Sequence, residues 1–274
     1  INFHIFIHSM PPHSFFGKKL MKLVFLKSSK IFFISNHQKN TYLEMKLITK
    51  NDDLDKCYLI SNPISIHSKN LLNHNPKKKL LSKIITKKDN NAIFGICARY
   101  DPLKNLEYGI SCFKESLITK KNDHIFLENF EKYLILVGRD TEKFDDINNI
   151  KVLGELPNSL LSLEDFYENI DCLLIPSLEE VSPVVAIEAL CSGLPIISNN
   201  VGDLKELSKK FKWLEIVDIG DSNSFISKIN KVSKNINYHR MERFNRHAYA
   251  KKQFIESRSV EFLSKKLQDL INET

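Results

Sequence analysis

Glycine is scarce in this chain, 8 among 274 residues, and tryptophan occurs once. That scarcity excludes collagen-like and glycine-rich linker architectures, and 42% hydrophobic with 27% charged residues excludes a disordered chain. Long apolar runs are absent too, since none reaches the ~18 residues of a membrane span. The five cysteines, at 57, 97, 112, 172 and 191, form no Cys-x-x-Cys pair and no Cys/His cluster. Such spacing offers neither a disulfide framework nor a zinc site. Most of them lie in apolar runs such as FGICAR and DCLLIP, where a free thiol acts as a small core hydrophobe. A reducing cytoplasm is therefore the expected compartment. The opening stretch INFHIFIHSMPPHS has neither the basic leader nor the long apolar core of a signal peptide, and begins with Ile. A fragment or a mature product is expected.

The net charge of +7 is concentrated in one place. Residues 63–90 carry Lys69, Lys77, Lys78, Lys79, Lys83, Lys87 and Lys88 against the single acid Asp89. A run of this kind can touch nucleic acid or anionic lipid headgroups. It has no interleaved aromatics to stack bases, so nucleic acid is not an expected partner. A solvated inter-domain surface is the plainer reading.

Before this run, FHIFIH, KIFFIS and KCYLISNPIS read as short buried strands, with an amphipathic helix at 17–29. After it, strands are expected at AIFGICA, YLILVG, IKVLG, DCLLIP, LPIIS and WLEIVD, and helices near 104–117, 158–168, 183–192, 202–211 and 221–236. Alternation of near-continuous apolar strands with helices predicts a parallel, doubly wound α/β sheet, whose ligands bind beyond the carboxyl ends of the strands. The expected organisation is a partial N-terminal α/β domain at 1–68, a basic hinge at 69–90, a ligand-binding domain at 91–236 and a helical, surface-packed tail at 237–274.

The densest chemical signal is DCLLIPSLEEVSPVVAIEALCSGLPIISNNVGDLKEL. A strand ends at Pro176-Ser177, an acidic loop follows, Ser182 reads as an N-cap and Pro183 as the first helical residue. Glu180 precedes the helix and Glu188 lies about a turn and a half inside it. Helical side chains lean toward the N-terminus, so both carboxylates can address one pocket there. Free N–H groups at that end suit phosphate. On spacing alone the pair reads equally as solvent-facing charges favoured by the helix dipole.

Pro176-Ser177, Glu180, Glu188-Ala189, Gly193-Leu194-Pro195 and Val201-Gly202 together resemble the signature of glycosyltransferase family 4, a retaining group with the GT-B fold. FGICARYDPLKNLEYGISCFKE is similar to the first strand of that family's donor domain, and YLILVGRD with Gly138 and IKVLGELPN with Gly154 are similar to later strands. KIFFISNHQKNTYLE, ending its strand at Ser35, and the Asn62 segment resemble the end of the acceptor domain. The Gly-Phe-Gly that often follows the first Glu is here Val181-Ser182-Pro183, which alters the loop nearest the donor sugar.

The resemblance implies a GT-B-like protein with a Rossmann-like donor domain. It would move a sugar from a nucleotide-diphosphate sugar to a hydroxyl of a cell-envelope glycan or lipid-linked sugar, with retention, without a metal and with no cofactor besides the donor. Arg99 and Lys104 would grip the diphosphate, Glu180 would sit by the donor sugar and Glu188 would hold the ribose. Ser182, Val184, Gly138 and His8 would line the substrate site. The implied location is cytoplasmic, with peripheral contact on the inner membrane face. Two other classes stay open: a non-catalytic nucleotide-sugar-binding module or inactive fragment, and a nucleotide-sugar epimerase.

Overall fold

The computed structural model describes residues 3–48, 54–63, 90–118, 130–144, 149–156 and 160–272. The lysine run of the expected hinge lies outside the described residues. Two parallel sheets organise the rest.

The larger sheet has six strands: β4 (Asn91–Cys97), β5 (Glu131–Val137), β6 (Ile150–Val152), β7 (Cys172–Ile175), β8 (Ile196–Asn199) and β9 (Leu214–Val217). Their spatial order is β6-β5-β4-β7-β8-β9, with every neighbouring pair parallel. The chain starts in the middle, winds outward to β6, then returns to β7 and winds the other way, as the strand–helix alternation predicts. Strands such as β7 and β8 are buried at every residue because helices cover both faces. Side chains alternate between those faces. Ala92, Phe94 and Ile96 join one core with α3 (Leu106–Ser116) and α7 (Ser222–Lys234). Ile93, Leu173 and Ile175 join the other with α4 (Leu160–Asn169), α5 (Val184–Cys191) and α6 (Leu204–Lys210).

The segment after α7 continues into this body. Asp171, at the entry to β7, accepts from Ile93 N at 2.9 Å and from Arg240 Nε and Nη2 at 2.9 and 2.7 Å, tying α8 (Ile236–Met241) to the sheet. α9 (Arg243–Arg258) inserts Ala250 and Phe254 into the second core, so it is a structural layer rather than a surface-packed tail. Buried Arg246 and His247 and the Arg243 guanidinium, which donates to Ser192 O at 3.0 Å, dock it alongside them. α10 (Val260–Asn272) then reaches the smaller sheet, where Lys266 Nζ donates to Leu59 O at 3.0 Å and Lys30 Nζ donates to Leu270 O.

The smaller sheet runs β1 (His4–Ile7), β2 (Lys30–Phe33) and β3 (Cys57–Leu59), again parallel. It carries α1 (Phe15–Lys27) and α2 (Asn36–Glu44), with N-caps Ser14 and Ser35 accepting from Gly17 N and Gln38 N. Its core is Ile7, Phe25, Ile31, Phe33, Tyr42, Leu47 and Ile48. Gln38 is wholly buried; it accepts from Ile34 N at 2.9 Å and donates to Ile7 O and Ser9 O at 3.1 and 2.8 Å, fastening α2 to the strand exits.

Candidate active site

In the larger sheet the winding reverses between β4 and β7, so the loops leaving their carboxyl ends diverge and open a crevice. A cavity of about 330 Å³ lies there. Ile96, Leu174 and Ile175 give it an apolar floor, while Lys104, Ser177 and Glu180 supply polar groups. That combination and size are those of a small-ligand site.

Lys104 arrives from the loop after β4. Asp101 caps a 3-10 turn, Pro102–Lys104, by accepting from Leu103 N at 2.9 Å. The turn is locked to the opposite loop where Leu178 N donates to Leu103 O at 2.7 Å and Asn105 Nδ2 to Pro176 O at 3.3 Å. Lys104 Nζ then meets Glu180 Oε1 at 2.7 Å, and Ser177 Oγ donates to the same oxygen at 2.9 Å. The pair is mostly shielded, with side-chain exposures of 25% and 12%. Its geometry is therefore held more firmly than that of a surface ion pair.

Behind this loop stands Asn199, fully buried at the end of β8, whose amide donates to Pro176 O at 2.7 Å and Ser177 O at 3.1 Å. Gly202, at φ +56, lies against the acidic loop: a Cβ there would stand 2.7 Å from Val181 O. Gly138 fits the neighbouring wall in the same way, at φ +142, with a Cβ position only 2.0 Å from Ala98 O. Neither position tolerates a side chain without moving backbone at the cavity rim.

Helix α5 begins one residue later than the sequence predicts. Pro183 is extended and occupies the N-cap position, so Val184 is the first helical residue and no side chain caps the helix. Ser182 is thus not the N-cap; its hydroxyl donates instead to Asp203 Oδ2 at 2.8 Å. Pro183 has a helix-compatible φ of −68° but an extended ψ of 115°, so the first helical residue is Val184. The consequence is chemical: Val184 and Val185, whose N–H groups at the start of α5 precede the first intrahelical bond, both line the cavity. Ser182 and Val184 both line it.

Glu188 lies deeper in α5, with Oε2 accepting from Tyr167 Oη at 2.7 Å. Burial pushes its carboxyl pKa upward, partly opposed by the tyrosine bond. Its neighbour Cys97, in the cavity wall, has its thiol pushed up to about 12 by burial and by the Glu188 charge. Four expected residues stand apart from the cavity lining: Glu188 and Gly138, which lie behind its wall, and Arg99 and His8. Arg99 extends into solvent, paired with Asp101 at 3.1 Å. His8 follows β1 and is exposed.

Sequence reading missed Tyr167, Asn105 and Asn199. An aromatic on an amphipathic helix reads as core, so Tyr167 carried no signal. Asn199 stands in the polar stretch Ser198-Asn199-Asn200 that follows the apolar run LPII, and that stretch is its mark in the sequence. The loops of the smaller body reach the same place: Ser35 Oγ donates to Val181 O and Asn62 Nδ2 to Ser182 O, each at 3.4 Å. These are two of the three N-terminal residues that the family resemblance singles out; the third, His8, is not among these contacts.

The family model for glycosyl transferases group 1 matches residues 77–253. An uncharacterized 41.2 kDa protein in the cps region of Klebsiella pneumoniae is 27% identical over 192 residues, covering 68% of this chain and 49% of that protein. The chain thus spans about half the length of this curated relative. Sucrose-phosphate synthase from Thermosynechococcus elongatus superposes with a TM-score of 0.73 at 15% identity, over 98% of this chain and 67% of that one. HepE of Anabaena, solved with UDP and glucose, also gives 0.73 at 15% identity, over 100% of this chain and 72% of that one. A glycosyltransferase from Rickettsia africae matches at 0.73 and 17% identity, over 99% and 71% of the two chains. With two-thirds of its length under the family model and the GT-B arrangement of sheets around the crevice, the chain belongs to the glycosyl transferases group 1 family.

Proposed function

We propose that the β4–β7 crevice binds a nucleotide-diphosphate sugar and that the whole protein transfers the sugar, with retention, to a hydroxyl of a cell-envelope glycan or lipid-linked acceptor. The observation that carries this reading is the Lys104–Glu180–Ser177 cluster set against the uncapped start of α5. A diphosphate finds there one ammonium and the free amides of Val184 and Val185. As the bond from the anomeric carbon to phosphate breaks, its electron pair moves to the diphosphate oxygen. Lys104 and the helix end stabilise that charge from a largely shielded site. The acceptor oxygen bonds to the anomeric carbon, and its proton leaves with the diphosphate. No metal is required in this reading, because fixed cations and amides take its place.

Glu180, held on Oε1 by two donors, addresses donor-sugar hydroxyls with its other oxygen. Glu188, backed by Tyr167, takes the ribose. Arg99 joins the diphosphate by leaving Asp101. HepE, solved with UDP and glucose, supports a uridine donor, and the cps-region relative supports a surface-glycan role. Among the described residues no helix is long and apolar enough to cross a membrane. We place the protein in the cytoplasm, in peripheral contact with the inner membrane face.

Calorimetry with UDP-glucose and other nucleotide sugars tests the site. Binding that weakens in Lys104→Ala and Glu188→Ala supports it. A chain that binds no nucleotide sugar, or variants that bind as well as the native chain, would remove the assignment.

A further inference from the structure

The acidic loop from Pro176 to Ser182 rests on the end of β8 and the turn into α6. Asn199 holds its first residues through Pro176 O and Ser177 O. Gly202 lies under its middle, where an added Cβ would meet Val181 O at 2.7 Å and Glu180 O at 3.1 Å. Asp203 holds its end, accepting from Ser182 Oγ at 2.8 Å. The backbone that carries Glu180 is thus supported along its length by one short connection.

The last of these supports differs chemically from the others. Asp203 stands at the N-cap position of α6, where a carboxylate ordinarily accepts from an amide of its own helix. It makes no such bond. Its Oδ2 is turned to Ser182, and its Oδ1 is buried with no hydrogen-bond partner among the described residues. Asp203 is 8% exposed and Ser182 6%. Burial pushes the Asp203 carboxyl upward in pKa, opposed by the Ser182 bond and by the charge of buried Arg258 at the end of α9. A carboxylate placed for stability alone would cap its helix and stay in water, since burial without full pairing is costly. Here it is committed to the hydroxyl two residues beyond Glu180.

Loss of this bond would not reach all parts of the crevice equally. Helix α5 is fixed through Ala186, Ile187, Ala189 and Leu190 in the core, so its start keeps its place when the loop before it shifts. Glu180 has no such anchor and depends on the loop and on its bonds to Lys104 and Ser177. We propose that Asp203 is a positioning residue for Glu180. By holding Ser182 it fixes the acidic loop, and with it the carboxylate that meets the donor sugar, while the diphosphate contacts are left to Lys104 and α5. This rests on the preceding reading of the crevice and adds to it a residue that touches no substrate.

Calorimetry of the full chain with UDP-glucose, ADP-glucose and GDP-mannose, each beside its free nucleoside diphosphate, tests the proposal on the donor that binds. Ser182→Ala and Asp203→Ala should each lower affinity for the nucleotide sugar about tenfold, with affinity for the diphosphate as in the native chain. Asp203→Asn, whose amide oxygen can still accept from Ser182, should restore most of the sugar affinity. S182A/D203A should lose no more than either single variant, because both remove the same bond. If Asp203→Ala does not fold, Ser182→Ala, which deletes one hydroxyl, carries the test. Unchanged sugar affinity in Ser182→Ala, or equal weakening of nucleotide sugar and diphosphate, overturns the proposal. So does an Asp203→Asn that behaves like Asp203→Ala, which would place the effect on the charge. A native chain that binds none of these donors removes the donor-site reading and this proposal with it. Native binding with an unchanged ratio in the variants removes the role of Asp203 alone.

Discussion

The two sheets of this protein are built from the same parallel strand–helix alternation, yet they fasten their helices differently. In the six-stranded body, cores lie on both faces, and the anchor between sheet and helix is ionic: Asp171 receives two guanidinium nitrogens of Arg240 and an amide of β4. In the three-stranded body one described core lies beneath α1 and α2, and the anchor is the neutral amide of Gln38. A buried ion pair tolerates removal of one partner badly, since the other charge is left stranded. A lost amide leaves only neutral groups unpaired. The larger body is thus the more sensitive of the two to loss of its anchor.

Removal of the two anchors gives the largest effect and the most direct way to break the comparison. Asp171→Ala should cost about 3–5 kcal/mol in urea unfolding, and Gln38→Ala about 1–3 kcal/mol. Equal costs would mean that the two anchors do the same job.

The larger body also carries the crevice. Lys104→Ala should lower turnover of a nucleotide-sugar donor by about 10²–10³-fold, with Lys104→Arg recovering part of it. Loss of nucleotide affinity with no loss of turnover at saturation would confine Lys104 to ground-state binding.

A smaller effect sharpens the role of the supporting shell. Tyr167→Phe removes one hydrogen bond to Glu188 and should cost about 1 kcal/mol of stability. It should also weaken nucleotide-sugar binding by up to about tenfold, since an untethered carboxylate no longer meets the ribose in one position. Unchanged binding would remove Tyr167 from the site and leave it a core residue.

The smallest effect is in pH. Burial holds the Glu188 carboxyl above its ordinary 4.5, so the native protein binds that proton more tightly than the unfolded chain does. The stability this contributes is fully present below the unfolded pKa and is lost as pH rises through the native value. The native chain should therefore lose stability relative to Glu188→Gln as pH climbs from about 4 to about 7, read by urea unfolding at each pH. Tyr42 in the smaller body, pushed up to about 12 by burial, titrates outside that window. A flat difference would contradict the buried carboxyl.

Much of this was legible in the order of residues. Apolar runs of strand length, such as AIFGICA and DCLLIP, lie at β4 and β7 within a residue or two. Two-sided burial explains why: each strand is covered on both faces, so nearly every residue is apolar and the run stands out. The resemblance points to Lys104, and spacing with the resemblance to Glu180; the fold brings the two within 2.7 Å. Other parts left no mark. The start of α5 was misplaced because Ser-Pro reads as cap and first turn, whereas the extended Pro183 moves the helix forward by one residue. Ser182 could not be seen to face Asp203, 21 residues onward, because that contact depends on two loops folding over one another.

The sequence by itself determined the alternation of elements, the two parallel sheets and the identity of the charged residues after β4 and β7, because these follow from local periodicity and side-chain chemistry. Tertiary structure alone decided which of those charges meet. It placed Lys104 on Glu180, turned Arg99 to Asp101, and set Tyr167 behind Glu188 and Asn199 behind Ser177. Such contacts join elements tens of residues apart, and their geometry is set by how helices pack across a sheet. No local pattern carries that information.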